Sequence, residues 1–364
     1  MGNKTGIYVH IPFCTAKCPY CDFYSLPASD KMHRQYIKTV CDSINREQNV
    51  QADTLYFGGG TPSLLEPALL EQVIKTAQEQ FSLSGETTIE ANPCTVTPQK
   101  LVAWKKAGIN RLSFGMQSAN PKEQQTLGRR HSTKQVEQAV LWAKEAGFEN
   151  LSVDLMLGVP YQTIESLLGS IAFLSRLGIQ HVSAYLLKIE EGTPFAASGI
   201  EKDLPDEDLT CELYLTACRE LEKLGFMQYE ISNFAKPGME SKHNLKYWNS
   251  EDYLGYGPSA HSFYQGKRFY YPRDLAAYLK SGGPNRLEAA CSTQAWEDFL
   301  MLRFRLRKGV GQEELLRCCP EEARRIWQGC RRYVTAGLME EADGRIAMTP
   351  KGFLVSNAIL SQLL

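Results

Sequence analysis

No run of apolar residues in this 364-residue chain approaches the ~18 needed to cross a bilayer as a helix, so no transmembrane segment is expected. The N-terminal MGNKTGIYVHIPFC lacks the apolar core of a secretory signal, and Gly6 stands where N-myristoylation wants Ser or Thr. The chain is therefore expected in the cytoplasm without a lipid anchor, and any membrane contact is expected to be peripheral and driven by a partner. A dominant charge is missing too: 40 basic residues face 41 acidic ones, which gives no electrostatic reason to expect nucleic acid as a partner. A disulfide framework is also lacking. The 11 cysteines are an odd number, and in a cytoplasmic chain they are expected to be reduced. Cys41, Cys94, Cys211, Cys218, Cys291, Cys318, Cys319 and Cys330 are scattered over helical or turn stretches and are expected as small buried hydrophobes.

What is present is an alternation. Short β-rich runs at 6–11, 54–59, 87–92, 111–117, 151–157 and 181–187 alternate with amphipathic stretches at 30–48, 67–81, 98–107, 133–146 and 164–177. Gly108, Gly147 and Gly178 close three of the helical stretches, and Pro67, Pro98 and Pro121 mark starts or loops. Strand–helix repetition implies parallel strands with right-handed crossovers. The pattern predicts an α/β fold, a partial (β/α)6 TIM-like barrel, with an open doubly wound sheet as the competing layout. Either places the chemistry at the C-terminal ends of the strands. After residue 190 the rhythm changes to a long helix at 206–224 and a strand near 227–234, followed by the aromatic-rich HNLKYWNSEDYLGYGPSAHSF. Helices at 294–307, 312–317 and 320–336, then a two-stranded wing, predict a winged-helix-like module. Its last helix carries Arg324, Arg325, Arg331 and Arg332 but also Glu321 and Glu322, and such a fold does not settle function. The expected divisions are 1–235 for the barrel, 236–289 for a connecting segment and 290–364 for the C-terminal domain.

Cys14, Cys18 and Cys21 follow the first strand with C-x3-C-x2-C spacing. Thiolates suit zinc and iron–sulfur clusters. A structural zinc wants four ligands, usually in paired knuckles, and no second knuckle is near. Three cysteines on a [4Fe–4S] cubane leave one iron open, and that iron can take the amino and carboxylate groups of S-adenosylmethionine. Zinc, or plain surface cysteines, is the bland alternative.

With YVHIPFC-x3-CPYCDF, FGGGTPS, IEANP, SFGMQS, VDLMLGVPYQT and AYLL in order, the sequence resembles the radical SAM superfamily over about residues 6–270. Within it the chain is most similar to the oxygen-independent coproporphyrinogen III oxidase group. In the true dehydrogenase of that group a fourth cysteine stands two residues after the third, where this chain has Phe23. The dehydrogenase also has a longer N-terminal extension, whereas seven residues precede Tyr8 here. Both departures point to the heme-chaperone branch, as does H-N-x-x-Y-W, present as His243, Asn244, Tyr247 and Trp248. The resemblance implies cluster ligation by Cys14, Cys18 and Cys21. It places Gly59, Gly60 and Thr61 against the amino group of S-adenosylmethionine, Glu90, Gln117 and Asp154 around its amino, ribose and carboxylate groups, and Arg129 on its carboxylate, with Arg130 able to exchange roles. Tyr8 matches a cosubstrate-contacting tyrosine. The bland counterparts are a tight turn for the glycines, satisfied core hydrogen bonds for the polar strand residues and a core aromatic for Tyr8. His10 reads as structural.

Imidazole is a standard axial ligand of heme iron. His243 is the first candidate, with Tyr247 and Trp248 placed to flank a porphyrin if the segment is helical; a histidine packed in an aromatic loop is the alternative. His261 is the second candidate. The function implied is a chaperone that binds heme and passes it to recipient hemoproteins, respiratory enzymes at the membrane surface in the family reading, with a flavodoxin- or ferredoxin-type electron donor. No catalytic residue is assigned. The competing functions are radical decarboxylation of coproporphyrinogen III to protoporphyrinogen IX and radical chemistry on an unrelated substrate.

Overall fold

The computed structural model describes residues 4–283, 286–289 and 295–364; Cys291 and the start of the helix expected at 294 lie outside them. Six strands, β1 (Thr5–Ile11), β2 (Ala52–Gly59), β3 (Glu86–Ala91), β4 (Arg111–Gln117), β5 (Asn150–Leu157) and β6 (His181–Leu186), pair in chain order. Every pairing among them is parallel. A doubly wound sheet would reverse its order at a switch point, and this one does not. Nor do its ends meet: β1 pairs next with β9 (Tyr253–Tyr256) and β6 with β8 (Asn233–Ala235). The result is an open, partial barrel.

The crossover helices form because their ends are signalled in the sequence. Ser29 and Thr97 cap Asp30–Ile44 and Pro98–Ala107 by accepting the backbone N–H of Met32 and Lys100, the side-chain capping that orphan N–H groups require. Thr163 and Ser166 form a capping box on Ile164–Leu177. The first helix stops at Ile44 instead of reaching residue 48, because Arg46 and Glu47 bond back only three residues and tighten the turn. Residues alternate between the two faces of each strand. One set, including Ile7, Val9, Leu55, Phe57, Ile89, Leu112, Phe114, Val153 and Val182, is fully buried and belongs to the hydrophobic core.

The stretch expected as one strand near 227–234 is a hairpin of β7 (Met227–Gln228) and β8. Between them Glu230 accepts hydrogen bonds from the Ser232 N–H and the Asn233 amide, and so bends the chain. Residues 236–289, expected as a connector, extend the sheet: β9, β10 (His261–Tyr264), β11 (Lys267–Tyr270) and β12 (Leu287–Glu288) bring it to 12 strands among the described residues. The C-terminal part has the expected helices, observed at Ala295–Arg303, Gln312–Cys318 and Ala323–Thr335. Its wing has three strands, β13 (Val310–Gly311), β14 (Met339–Ala342) and β15 (Arg345–Met348), with β15 central. After the wing, Pro350–Leu354 opens a further helix. Backbone bonds from Ile231 to Arg305 and from Arg307 to Tyr229 tie this part to the barrel. Of the scattered cysteines, Cys41, Cys218, Cys319 and Cys330 are buried as expected, Cys211 and Cys318 are half-buried, and Cys94 is exposed. Among the described residues no helix is long and apolar enough to cross a membrane.

Phe57 is fully buried opposite Ile89 in the β2–β3 ladder. Phe57→Ala is expected to destabilise the fold by about 3–5 kcal/mol, read as a lower urea midpoint at an unchanged m-value.

Candidate functional site

Where the strands end, one cavity of about 380 Å³ opens, lined by residues from the cluster loop and from β2 to β6. That volume is in the range of small-molecule sites. It brings together Cys14, Cys18, Cys21, Gly59, Gly60, Thr61, Glu90, Gln117, Arg129 and Asp154. Tyr8, Arg130 and His243 are not in its lining.

The cluster loop is held from several sides. The Cys14 N–H bonds to Leu26 O (3.2 Å) and the Leu26 N–H to Pro12 O (3.0 Å). Asp22 receives both arms of Arg273 (3.1 and 2.8 Å), the fork geometry that makes such pairs directional. The Phe195 N–H bonds to Pro19 O (3.0 Å). The glycine turn is tied to the same loop: the Gly60 N–H donates to Ile11 O (2.9 Å) and the Thr61 N–H to Phe13 O (2.8 Å). Thr61 Oγ1 then lies 3.3 Å from Cys14 Sγ. A Cβ on Gly60 would stand 2.7 Å from Phe13 O and 2.8 Å from Ile11 O, so only glycine fits.

The three thiols are half-buried. Burial raises the Cys21 thiol above its usual range, against a lowering hydrogen bond at Phe23, and the nearby Cys18 and Cys14 add to the rise. No three His, Cys, Asp or Glu side chains among the described residues converge on one ion position. A zinc ion needs thiolates at about 2.3 Å from a common centre, whereas each thiolate of an iron–sulfur cluster binds its own iron. Three half-buried thiols around one cavity, beside a close glycine turn, fit a cluster with an open iron.

Behind the thiols the wall is polar. Glu90 accepts from the Tyr56 hydroxyl (2.9 Å) and the Gly59 N–H (3.2 Å). Burial, then the charge of Asp154, pushes its carboxyl up to about 7. Asp154 accepts from Ser113 Oγ (3.1 Å) and is likewise raised, mainly by burial. Gln117 sits at φ 73°, at an irregularity in the β4–β5 register that turns it towards the cavity. Arg129 donates to Gly115 O (2.6 Å) and Cys18 Sγ (3.5 Å), and its enclosed Nε has no partner. Arg130 is exposed, so the cavity guanidinium is that of Arg129. A Cβ on Gly115 would be crowded, with Arg129 Nη2 and Gln117 Nε2 each 3.1 Å away.

Tyr8, expected at the cosubstrate, lies outside the cavity lining: its hydroxyl bonds to His10 Nδ1 (3.1 Å), and its ring lies against Tyr56 and His243. The segment carrying His243 is helical, Lys242–Trp248, yet His243 is fully buried. Its Nδ1 bonds to Thr54 Oγ1 (2.8 Å), its Nε2 to the Tyr247 hydroxyl (2.7 Å), and its ring stacks on Tyr56. Both nitrogens are spent inside the protein, which leaves no lone pair for heme iron. His261 is exposed on β10 and stacks on Tyr270.

The cavity also holds residues that the sequence reading passed over, Tyr56, Arg111, Ser113, Ser183 and Tyr185, together with Asn244 of the H-N-x-x-Y-W stretch. Strand alternation held the signal for some of them. Arg111, Ser113 and Gly115 precede Gln117 on β4 in steps of two, and so share its face.

Gly60→Ala is expected to keep the barrel's circular dichroism but to lose most of the iron bound on anaerobic reconstitution, since backbone carbonyls cannot move aside. Buried histidines set a second expectation. Burial lowers His10 and His131 to about 4 and His243 to about 3. The folded state therefore refuses protons that the unfolded chain takes up below about pH 6.5. Each histidine's contribution should be full above that pH and fall by roughly 2 kcal/mol by pH 5, while the raised carboxyls of Glu90 and Glu230 act in the opposite direction, so it is measured as the change with pH in the difference between urea midpoints of the metal-free protein and its His131→Gln variant.

Residues 8–174 match the radical SAM superfamily and residues 292–355 the HemN C-terminal domain. The chain is similar to heme chaperone HemW of Lactococcus lactis, 32% identical with 100% of this chain and 98% of the relative covered. To heme chaperone HemW of Bacillus subtilis it is 33% identical, with 98% of each covered. The solved structure of the Escherichia coli coproporphyrinogen III oxidase HemN, a radical SAM enzyme, superposes at TM-score 0.83 over 98% of this chain and 89% of that one, at 22% identity. That likeness is one of fold. The cluster loop, the glycine turn, the parallel six-stranded wall and the full-length likeness agree: the chain belongs to the radical SAM superfamily and, within it, to the HemW family.

Proposed function

We propose that this chain is a heme chaperone that binds heme and delivers it to hemoproteins, with a [4Fe–4S] cluster held by Cys14, Cys18 and Cys21 and S-adenosylmethionine at the open iron. The observation that carries the reading is the joining of two features. Relatives named heme chaperone match the chain over its whole length, and its cluster loop offers three thiols followed by Phe23, which is 63% exposed at the cavity's edge. When bound, the cluster would supply an electron to the sulfonium of S-adenosylmethionine, the chemistry on which radical SAM reactions depend.

The protein's own residues have separable tasks. The glycine turn lets backbone approach the ligand. Glu90 and Asp154 accept hydrogen bonds from its amino and ribose groups, Gln117 adds an amide, and Arg129 binds its carboxylate. For heme, His261 takes the place of His243. Its ring is exposed, and burial followed by the charges of Arg268 and Arg273 lowers its pKa, favouring the neutral imidazole that binds iron. Recipients at a membrane surface and a flavodoxin- or ferredoxin-type donor complete the proposal.

Anaerobic heme titration of the cluster-loaded protein tests it. A saturable, stoichiometric Soret shift is expected, weakened at least tenfold in His261→Ala and retained in His243→Phe. No shift would reject the chaperone reading. Conversion of coproporphyrinogen III to protoporphyrinogen IX by the same preparation would replace it with the dehydrogenase reading.

A further inference from the structure

Thr61 follows the glycine turn and stands at the head of a short 3-10 turn, Pro62–Leu64. Threonine in such a place ordinarily accepts a backbone N–H with its hydroxyl. Here the hydroxyl makes no capping bond. It is turned the other way, to 3.3 Å from Cys14 Sγ, within hydrogen-bond reach of the sulfur. The backbone fixes that aim, because the Gly60 N–H is held by Ile11 O (2.9 Å) and the Thr61 N–H by Phe13 O (2.8 Å).

Each of the three thiols has a donor beside it. Arg129 Nη1 is 3.5 Å from Cys18 Sγ, the Tyr20 hydroxyl also bonds to Cys18, and the backbone at Phe23 bonds to Cys21. Thr61 differs from Arg129 in two respects. Its hydroxyl is neutral, and it has no other hydrogen-bond partner among the described residues. Arg129 also holds Gly115 O (2.6 Å) and is the group assigned to the cosubstrate's carboxylate. The Thr61 hydroxyl therefore has Cys14 as its one task.

A free thiol could give or take the shared proton. Cys14 bound to iron is a thiolate with no proton to give, so the hydroxyl donates. Bonds to a charged acceptor are the stronger ones. Reduction of a cluster adds one electron, and part of that charge falls on the terminal sulfurs. A donor on such a sulfur therefore holds the reduced state more tightly than the oxidised one, and hydrogen bonds of this kind are among the terms that set cluster potentials.

We propose that Thr61 is a positioning residue that tunes the cluster: its hydroxyl donates to the Cys14 thiolate and raises the cluster's reduction potential. This rests on the cluster reading above. Through Gly59 and Gly60 the same turn is the part assigned to the cosubstrate's amino group. One backbone segment thus sets both where the cosubstrate sits and how readily the cluster takes up the electron destined for it.

The test is a one-electron titration of the reconstituted full-length protein without S-adenosylmethionine, read by electron paramagnetic resonance. Titanium(III) citrate is the reductant, each titanium giving one electron and becoming titanium(IV). Thr61→Val keeps the side chain's shape, and it leaves the donors at Cys18 and Cys21 in place. It is expected to bind a full complement of iron. At the wild-type midpoint its ratio of reduced to oxidised cluster should be about tenfold lower, a fall of about 59 mV. Thr61→Ser restores the hydroxyl and should stay within about twofold of the wild-type ratio. An unmoved or raised midpoint in Thr61→Val overturns the proposal, as does an equal fall in Thr61→Ser, which would make the effect one of packing. If Thr61→Val loses its iron, oxygen-17 labelling of threonine hydroxyls decides, in a Thr15→Ala background that removes the hydroxyl next to Cys14. Coupling of the label to the reduced cluster is expected, and its absence overturns the proposal. A wild type that takes up no [4Fe–4S] cluster on anaerobic reconstitution rejects instead the cluster reading beneath it.

Discussion

Where β1 and β2 run out together, two backbone hydrogen bonds, from the Gly60 N–H to Ile11 O and from the Thr61 N–H to Phe13 O, join the glycine turn to the chain leading into the cluster loop. Everything at the cavity depends on this junction. It places Thr61 against Cys14 and lets Gly59 donate its N–H to Glu90 on the third strand. A side chain at position 60 would strike both carbonyls, so residue choice and strand register constrain one another. Parallel pairing continues the constraint across the sheet, because each strand inherits its register from the one before.

The second organising fact is the cost of polar groups at such depth. Glu90, Asp154, Arg111 and Arg129 line one cavity, where neither full solvation nor complete pairing is available. Burial is the first cause of the raised pKa of both carboxylates. Away from the cavity lining, by contrast, the buried Lys246 contacts the carboxylates of Asp53 and Glu251 directly.

Much of this was legible beforehand. The alternation of strand and helix, the prolines at helix starts and the glycines at helix ends predicted the six-stranded wall, because those signals are local. Three cysteines within eight residues were legible for the same reason. The resemblance carried the cavity residues one at a time, and the structure gathers them, apart from Tyr8, around one space. Less legible was which polar side chains spend their hydrogen bonds inside the protein. Tyr8 and His243 stand in motifs that invite ligand roles, yet their polar atoms are spent on His10, Thr54 and Tyr247. Glu230 broke an expected strand by bending the chain on itself. The last strands of the sheet were missed because β9 to β12 are two to four residues long, too short for a period to show.

The sequence by itself determined the fold class and the spacing of three cysteines after the first strand, which rest on local pattern that the chain carries wherever it folds, while the polar positions at the strand ends were carried by the family resemblance. Only the tertiary structure decided that Arg129 and not Arg130 enters the cavity and that His243 is closed while His261 is open. Each of these is a matter of burial and of partners distant in sequence, and burial is created only when the sheet closes over its own side chains.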